Sequence, residues 1–508
     1  METAQILIMV VIVVYLALMI VIGAIYSKQT KNVGDFYLGG RRLGPLVTAM
    51  SAEASDMSSW LLMGLPGVAY LSGICDAGWT AIGLALGTYL NWLIVAKRLR
   101  NYSACNNSIT IPDFFSNRYR EKKNLLMIFS AIIIIVFFVP YTASGFAACG
   151  KLFSTLFGID YHVAMVASAV VIVGYTMLGG FNAASTTDFI QSIVMTVALV
   201  IVLAFGINQA GGWDAVVANA QSLDGYLSML DVHVPETLTS KSYSPLSIVS
   251  TLAWGLGYFG MPHILLRFMA IENPKKIAIS RRVASIWAVI TMSVGILIGV
   301  VGLGMVANNS IAPLVDSETI VINIAELLSK QGAVFAIAAG VIISGILAST
   351  MSTADSQLLA ASSSASENIL GNIIKKNISE KTKMLVARGV LLLISVVGVV
   401  IAWDSNSSVF GIVSFAWAGF GAAFGPVMLL ALFWKRSNKY GAVAGMIAGG
   451  IMVFLWKFVI SQTTEVLNVY ELLPAFITGL VVNIVVSLCT PKPEKEIIDE
   501  FEKVNAMK

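Results

Sequence analysis

Ala52–Trp60 reads AEASDMSSW, and it lies inside an otherwise apolar stretch from Leu43 to Leu71 that is long enough to cross a bilayer. Glu53, Ser55, Asp56, Ser58 and Ser59 crowd into seven residues, with Gly64 and Pro66 close behind. A carboxylate at the bilayer midplane costs several kcal/mol, so it marks function by default. The stretch suits a helix that opens in mid-membrane, where freed carbonyls and hydroxyls can hold an ion. The plainer alternative is a polar stripe packed against neighbouring helices, with Asp56 satisfied by hydrogen bonds.

The rest of the chain is membranous in composition. Hydrophobic residues make up 57% of the 508 and charged residues only 12%, against about 25% in soluble domains. Mean hydropathy is +0.83. The expectation is an all-α polytopic membrane protein, and a soluble enzyme is excluded. Cys75, Cys105, Cys149 and Cys489 have no paired spacing, and His162, His233 and His263 do not cluster with them, so no disulfide or metal framework is implied. The first apolar run, Ile6–Ile25, follows METAQ, which lacks the basic start of a signal peptide, and is expected to be a retained span.

Apolar segments predict thirteen spans, at 5–26, 43–72, 77–96, 124–153, 161–180, 187–208, 247–270, 282–308, 332–362, 384–402, 409–433, 441–461 and 470–490. With the N-terminus outside and the C-terminus in the cytoplasm, 28 of the 32 lysines and arginines fall on inner segments, the exceptions being Lys151, Lys241, Lys330 and Lys457. That asymmetry is the positive-inside rule, and merging any central span would destroy it. The outer segment Gly206–Leu246 carries Asp214, Asp224, Asp231 and Glu236 instead.

One leading helix before an odd-numbered set suggests a ten-helix core. Spans two to six form one repeat and spans seven to eleven the other, inverted because five is odd. Inverted-repeat transporters bind cargo at the midplane, where the first helix of each repeat is broken. Span seven should therefore be interrupted as span two is, and Trp254–Met261 reads WGLGYFGM before Pro262. The organisation predicted is an accessory helix and inner loop (1–42), a first repeat (43–208), an outer loop (209–246), a second repeat (247–433), two accessory helices (434–490) and a cytoplasmic tail (491–508) with mixed charges and no fold of its own.

A second polar cluster lies in span nine. Ser349, Ser352, Thr353 and Ser356 recur at helical spacing and share one face. Hydroxyls bonding back to their own carbonyls would explain that face as packing. Facing the open part of span two, it would instead complete an oxygen cage with the carbonyls of Ala54 and Met57, suited to a monovalent ion that must also leave. Asp188, in GGFNAASTTDF (Gly179–Phe189), is either a first-turn acid or a stepping stone for an ion moving inward. Trp60, Tyr141, Trp254, Tyr258 and Phe259 sit at or near the proposed breaks. An apolar pocket with few polar groups suits a small zwitterion, whose carboxylate the span-two serines and free amides would bind.

These stretches resemble the sodium:solute symporter family over nearly the whole chain, and most closely its bacterial sodium/proline branch. The likeness is carried by Asp35–Gly67, Gly179–Ser192, WGLGYFGMPHILLRFMA (Trp254–Ala270), STMSTADSQLL (Ser349–Leu359) and FAWAGFGAAFGP (Phe415–Pro426). The resemblance implies a LeuT-type fold of two five-helix inverted repeats. It implies a sodium ion (Na+) held by Ala54, Met57, Ser352 and Thr353 with Ser349 adding an oxygen, Asp56 needed for tight sodium use, and Asp188 on the ion's inner path. Tyr141, Trp254, Tyr258 and Pro262 match positions that shape a proline pocket, and Ser55, Ser58 and Ser59 lie in the unwound part of span two. Glu53 and Ser59 depart from the pattern, each standing where a glycine is expected. The function implied is sodium-driven uptake of L-proline across the cell membrane. Another small solute, such as a different amino acid or pantothenate, is the nearest alternative, and a membrane sensor or embedded enzyme is a more distant one. Membrane lipids are the expected surroundings, and nothing points to nucleic acid or to an obligate protein partner.

Overall fold

The structure, a computed structural model, describes residues 3–27, 33–366, 368–369 and 379–507. Lys28, Lys31, Lys375, Lys376 and Lys508, counted above among the inner basic residues, lie outside them. Among the described residues nine helices are long and apolar enough to cross a membrane. Two shorter apolar helices, Tyr161–Gly174 and Leu385–Ile401, fall on the predicted spans five and ten. Spans two and seven are interrupted helices.

Span two starts at Pro45, which suits a first helical turn because its missing N–H would go unused there. It runs as an α-helix to Ser59, but Ser58 leaves the helical region, at φ 48° and ψ −170°. A non-glycine residue with positive φ carries of order 1–2 kcal/mol of strain, so the surroundings must hold it. The Ser58 hydroxyl helps by accepting from the Trp60 N–H at 3.1 Å. A wide, π-type turn follows at Trp60–Gly64, then a second α-helix, Leu65–Ser72.

Span seven breaks by a different route. Pro245–Leu252 is α-helical, Ala253–Phe259 tightens to a 3-10 helix, Met261 is extended, and Pro262 starts a new helix to Ala270. Its glycines permit close approach. A Cβ on Gly257 would strike the Trp417 indole, and one on Gly260 the Phe420 carbonyl.

Span nine, Ala333–Ser363, is buried along nearly its whole length from Ala336 onward. It packs against Thr3–Ser27, Pro45–Ser59, Leu125–Phe157 and Tyr161–Gln209. A helix buried on every side has no solvent face to pattern, which is why its polar residues had to be judged by spacing alone.

Three features differ from expectation. The predicted loop between spans five and six is a kink inside one helix, Tyr161–Gln209, made at Gly180 with φ 67°. The predicted outer loop contains a β-hairpin, Asp231–Val234 paired with Thr239–Ser242. The tail expected to lack a fold forms a helix, Lys495–Ala506, which buries Ile497, Phe501 and Val504. Those three fall at i, i+4 and i+7, so the tail's charges had hidden an amphipathic stripe. Phe501 lies 5.1 Å from the Arg118 guanidinium, which also faces Tyr102 and Tyr119.

Candidate functional site

The two breaks and the hydroxyl face of span nine meet in the protein interior. Ser352 Oγ donates to the Ala54 carbonyl at 2.8 Å, joining span nine to span two. Thr353 Oγ1 donates to Ser349 O at 3.0 Å, and Ser349 Oγ to Ile346 O at 2.8 Å. Those protons point back into their own helix, so the hydroxyl lone pairs are left for another partner. The Met57 carbonyl accepts from the Trp60 N–H that caps the helix.

Asp56 links both breaks. Its Oδ2 accepts from Tyr258 OH at 2.5 Å, and its backbone carbonyl accepts from Tyr141 OH at 3.1 Å. Oδ1 is buried without a partner. Glu53, one turn earlier, accepts from Thr88 Oγ1 (2.9 Å) and Trp92 Nε1 (3.3 Å), and its Oε2 is likewise unpartnered. Among the described residues no basic side chain lies within ion-pair distance of either carboxylate. Buried charge without a counter-charge is costly, so this region is built to receive a cation or a proton. The donor set fits a hard monovalent ion: neutral carbonyls and hydroxyls with a carboxylate nearby. Among the described residues no three His, Cys, Asp or Glu side chains gather as a metal site.

A small cavity, about 10 Å³, lies beside Asp56, lined by Met57, Trp60, Leu84, Tyr141, Trp254, Val413 and Trp417. Its walls are apolar except around Asp56, Tyr141 and the Trp60 indole N–H, which is buried without a partner. The Trp417 indole N–H donates to the Trp254 carbonyl at 2.7 Å, pinning the 3-10 segment. A second small cavity, about 10 Å³, adjoins at Tyr141. Ser58, Ser59, Thr142, Thr353 and Gln357 line it. Toward the hairpin side a polar vestibule of about 340 Å³ includes Asp76, Tyr243, Ser250 and Asn468. Trp254 lines both the vestibule and the apolar cavity. Its ring packs 4.9 Å from Tyr470, 5.4 Å from Phe410 and 5.8 Å from Trp60, so an aromatic plug divides the two spaces.

A buried network adjoins the candidate ion-binding residues of spans two and nine. Arg267 donates to Asp188 Oδ2 at 3.0 Å, to Ser51 Oγ at 3.0 Å, to Ser356 Oγ at 2.5 Å and to its own helix at His263 O. Ser51 Oγ also donates to Asp188 at 2.7 Å. One guanidinium therefore ties spans two, six, seven and nine. Asp188 is thus ion-paired in the interior, unlike Asp56.

Of the residues singled out from sequence, Asp56, Met57, Trp60, Tyr141 and Trp254 line the apolar cavity, and Tyr258 is bonded to Asp56. Ser58, Ser59 and Thr353 line its neighbour. Ser55 donates back to Ala52 O at 3.1 Å and lines neither cavity, and neither do Phe259 and Pro262 line them. Sequence reasoning missed Trp417, Phe410 and Arg267. The first two lie in a helix with no polar signal. Arg267 was counted among loop charges, although it sits three residues inside a helix that ends at Ala270. It also missed Gln357, which lies four residues after Thr353 and so extends the face already marked.

Solved structures show the same architecture. A sodium-coupled sialic acid symporter in a substrate-bound, outward-open state superposes with a TM-score of 0.79 over 96% of this chain and 99% of its own, at 20% identity. Mhp1, a nucleobase-cation-symport-1 family transporter, in a closed conformation with bromovinylhydantoin bound, matches with a TM-score of 0.56 over 92% and 98%, at 14% identity. The fold is of the LeuT type, the class built from paired broken helices.

Sequence narrows the class. The sodium:solute symporter family model matches residues 36–449, and this chain belongs to that family. A sodium/proline symporter of Haemophilus influenzae is 43% identical over 501 residues, covering 96% of each chain. The high-affinity proline transporter PutP of Bacillus subtilis is 43% identical over 484 residues, covering 95% of this chain and 98% of its own. The protein is a multi-pass membrane protein.

Proposed function

We infer that this chain is a carrier of the cell membrane, rather than an enzyme, that couples inward sodium movement to uptake of L-proline. One observation carries the ion half of that inference: Asp56 is buried, lacks a basic partner, and stands where two broken helices meet the hydroxyl face of span nine. The solute half is supported by relatives that are proline transporters along almost their full length, and by the aromatic walls beside Asp56.

Sodium would bind between the Ala54 and Met57 carbonyls and the oxygens of Ser349, Ser352 and Thr353, drawing spans two and nine together. The neighbouring cavity would then hold proline, its ring against Trp60, Tyr141 and Trp254. Ser55, Phe259 and Pro262 would act by shaping the break. Each ligand must raise the other's affinity by the same factor. Opening alternates between the plug at Trp254 and the network around Arg267, with Asp188 receiving the ion on its inward path once Arg267 moves. The basic-residue asymmetry supports thirteen crossings, the N-terminus outside, and repeats at 43–208 and 247–433. One sodium with a neutral zwitterion would carry one charge inward, so the membrane potential adds about 2.3 kcal/mol per 100 mV.

The test is uptake into sealed proteoliposomes after a sodium jump, with a panel of unlabelled solutes competing against labelled proline. Proline should compete best. Stronger competition by another amino acid or by pantothenate would reassign the solute and leave the carrier intact.

A further inference from the structure

Gln357 is fully buried, with no exposed surface. Its Oε1 accepts from Thr142 Oγ1 at 3.1 Å. Its Nε2, with two N–H donors, has no partner, and neither has the Ser59 hydroxyl. Both residues line the small cavity that adjoins the apolar one at Tyr141. Buried donors are almost always satisfied, because an orphan costs the full desolvation of the group. Two of them lining one small cavity mark a place for an acceptor. Amide N–H groups cannot ligate a cation, so the missing partner is an oxygen-bearing or anionic group.

The two cavities together have the polarity of an amino acid. At one end is the unpartnered Asp56 Oδ1, suited to an ammonium, and the walls of that cavity suit a hydrocarbon ring. At the other end are the Gln357 and Ser59 donors. We propose that Gln357 is the side chain of span nine that binds the carboxylate of the transported amino acid, together with Ser59 of span two. This deepens the proline inference above and rests on it. It also supplies a physical link between ion and solute. Thr353 and Gln357 are one helical turn apart on a single buried helix, so an ion gripping the first sets the position of the second.

The test compares L-proline with L-prolinamide, which replaces the carboxylate by a neutral amide, in equilibrium binding to purified protein at saturating sodium. Wild-type protein should prefer proline strongly. Gln357→Leu should weaken proline by about ten- to a hundredfold, the range for a hydrogen bond to a charged group, and prolinamide, whose carbonyl accepts only a neutral bond, by clearly less, about two- to tenfold. Gln357→Glu keeps the acceptor for Thr142 but replaces the donors with a repelling oxygen, and should give the same pattern. An unchanged preference for proline in Gln357→Leu would overturn the proposal. Equal loss of both ligands in both variants would also overturn it, since the amide would then support the pocket as a whole. Wild-type protein that bound no proline would refute the proline inference itself rather than the share assigned to Gln357.

Discussion

Replacing Asp56 with Asn removes one charge from the meeting point of the two breaks and almost nothing else. The shape is kept, and an Asn oxygen can still accept from Tyr258. The carboxylate sits on the helix between the two carbonyls assigned to the ion, so it acts on sodium through space. Two unit charges roughly 7 Å apart, at an effective dielectric of about 20, attract by about 2.4 kcal/mol. That corresponds to about fiftyfold in affinity. The charge-assisted bond from Tyr258 weakens to a neutral one, a loss of about 1 kcal/mol to folding. The expected variant is therefore folded, since relief of the unpaired buried charge offsets that loss, with a sodium half-saturation about fifty times higher. Proline uptake against sodium concentration, in proteoliposomes with matched protein orientation, reads the shift directly. A sodium half-saturation within twofold of wild type would refute the argument, because a buried uncompensated carboxylate beside the ion cannot be electrically silent.

Other perturbations separate the parts of the site. Thr353→Ala should raise sodium half-saturation by about tenfold with little change in melting, since the lost hydroxyl bonds only its own helix in the folded protein; unchanged sodium dependence would remove Thr353 from the cage. Arg267→Gln leaves Asp188 buried and unpaired and should cost about 3–5 kcal/mol of stability, and adding Asp188→Asn should recover part of it; a double variant no more stable than the single would mean that the two do not form a unit. Phe501→Ala should release the tail helix at a cost of about 3 kcal/mol, seen as faster protease nicking after Pro491, and nicking at the wild-type rate would contradict the packing on Arg118.

Much of this was legible because a bilayer makes polarity expensive. Asp56, Ser352 and Thr353 stood out against apolar surroundings, and loop charge gave an expected topology. The paired breaks followed from the logic of an inverted repeat, and glycines with a proline marked the second one. What could not be read was direction. Ser55 lies in the same cluster as Ser58, yet it turns back on its own helix, because the break begins only at Ser58. Arg267 looked like one more cytoplasmic charge, and only the fold brings Asp188, Ser51 and Ser356 around it. Trp417 and Phe410 are ordinary residues of a glycine-rich helix until that helix is placed against the 3-10 segment. The tail's amphipathic stripe was present in Ile497, Phe501 and Val504, but its charges drew attention first.

The central claim is that a sodium ion sits between the open turn at Ala54–Ser58 and the hydroxyl face of span nine, with the solute beside it. The most direct measurement is a high-resolution density map of the protein with sodium and proline bound. The account predicts a cation roughly 2.3–2.6 Å from the Ala54 carbonyl and the Ser352 hydroxyl, the range for a hard ion on oxygen, with proline against Trp254. A map in which Ser352 still donates to Ala54 while the ion lies elsewhere would contradict it.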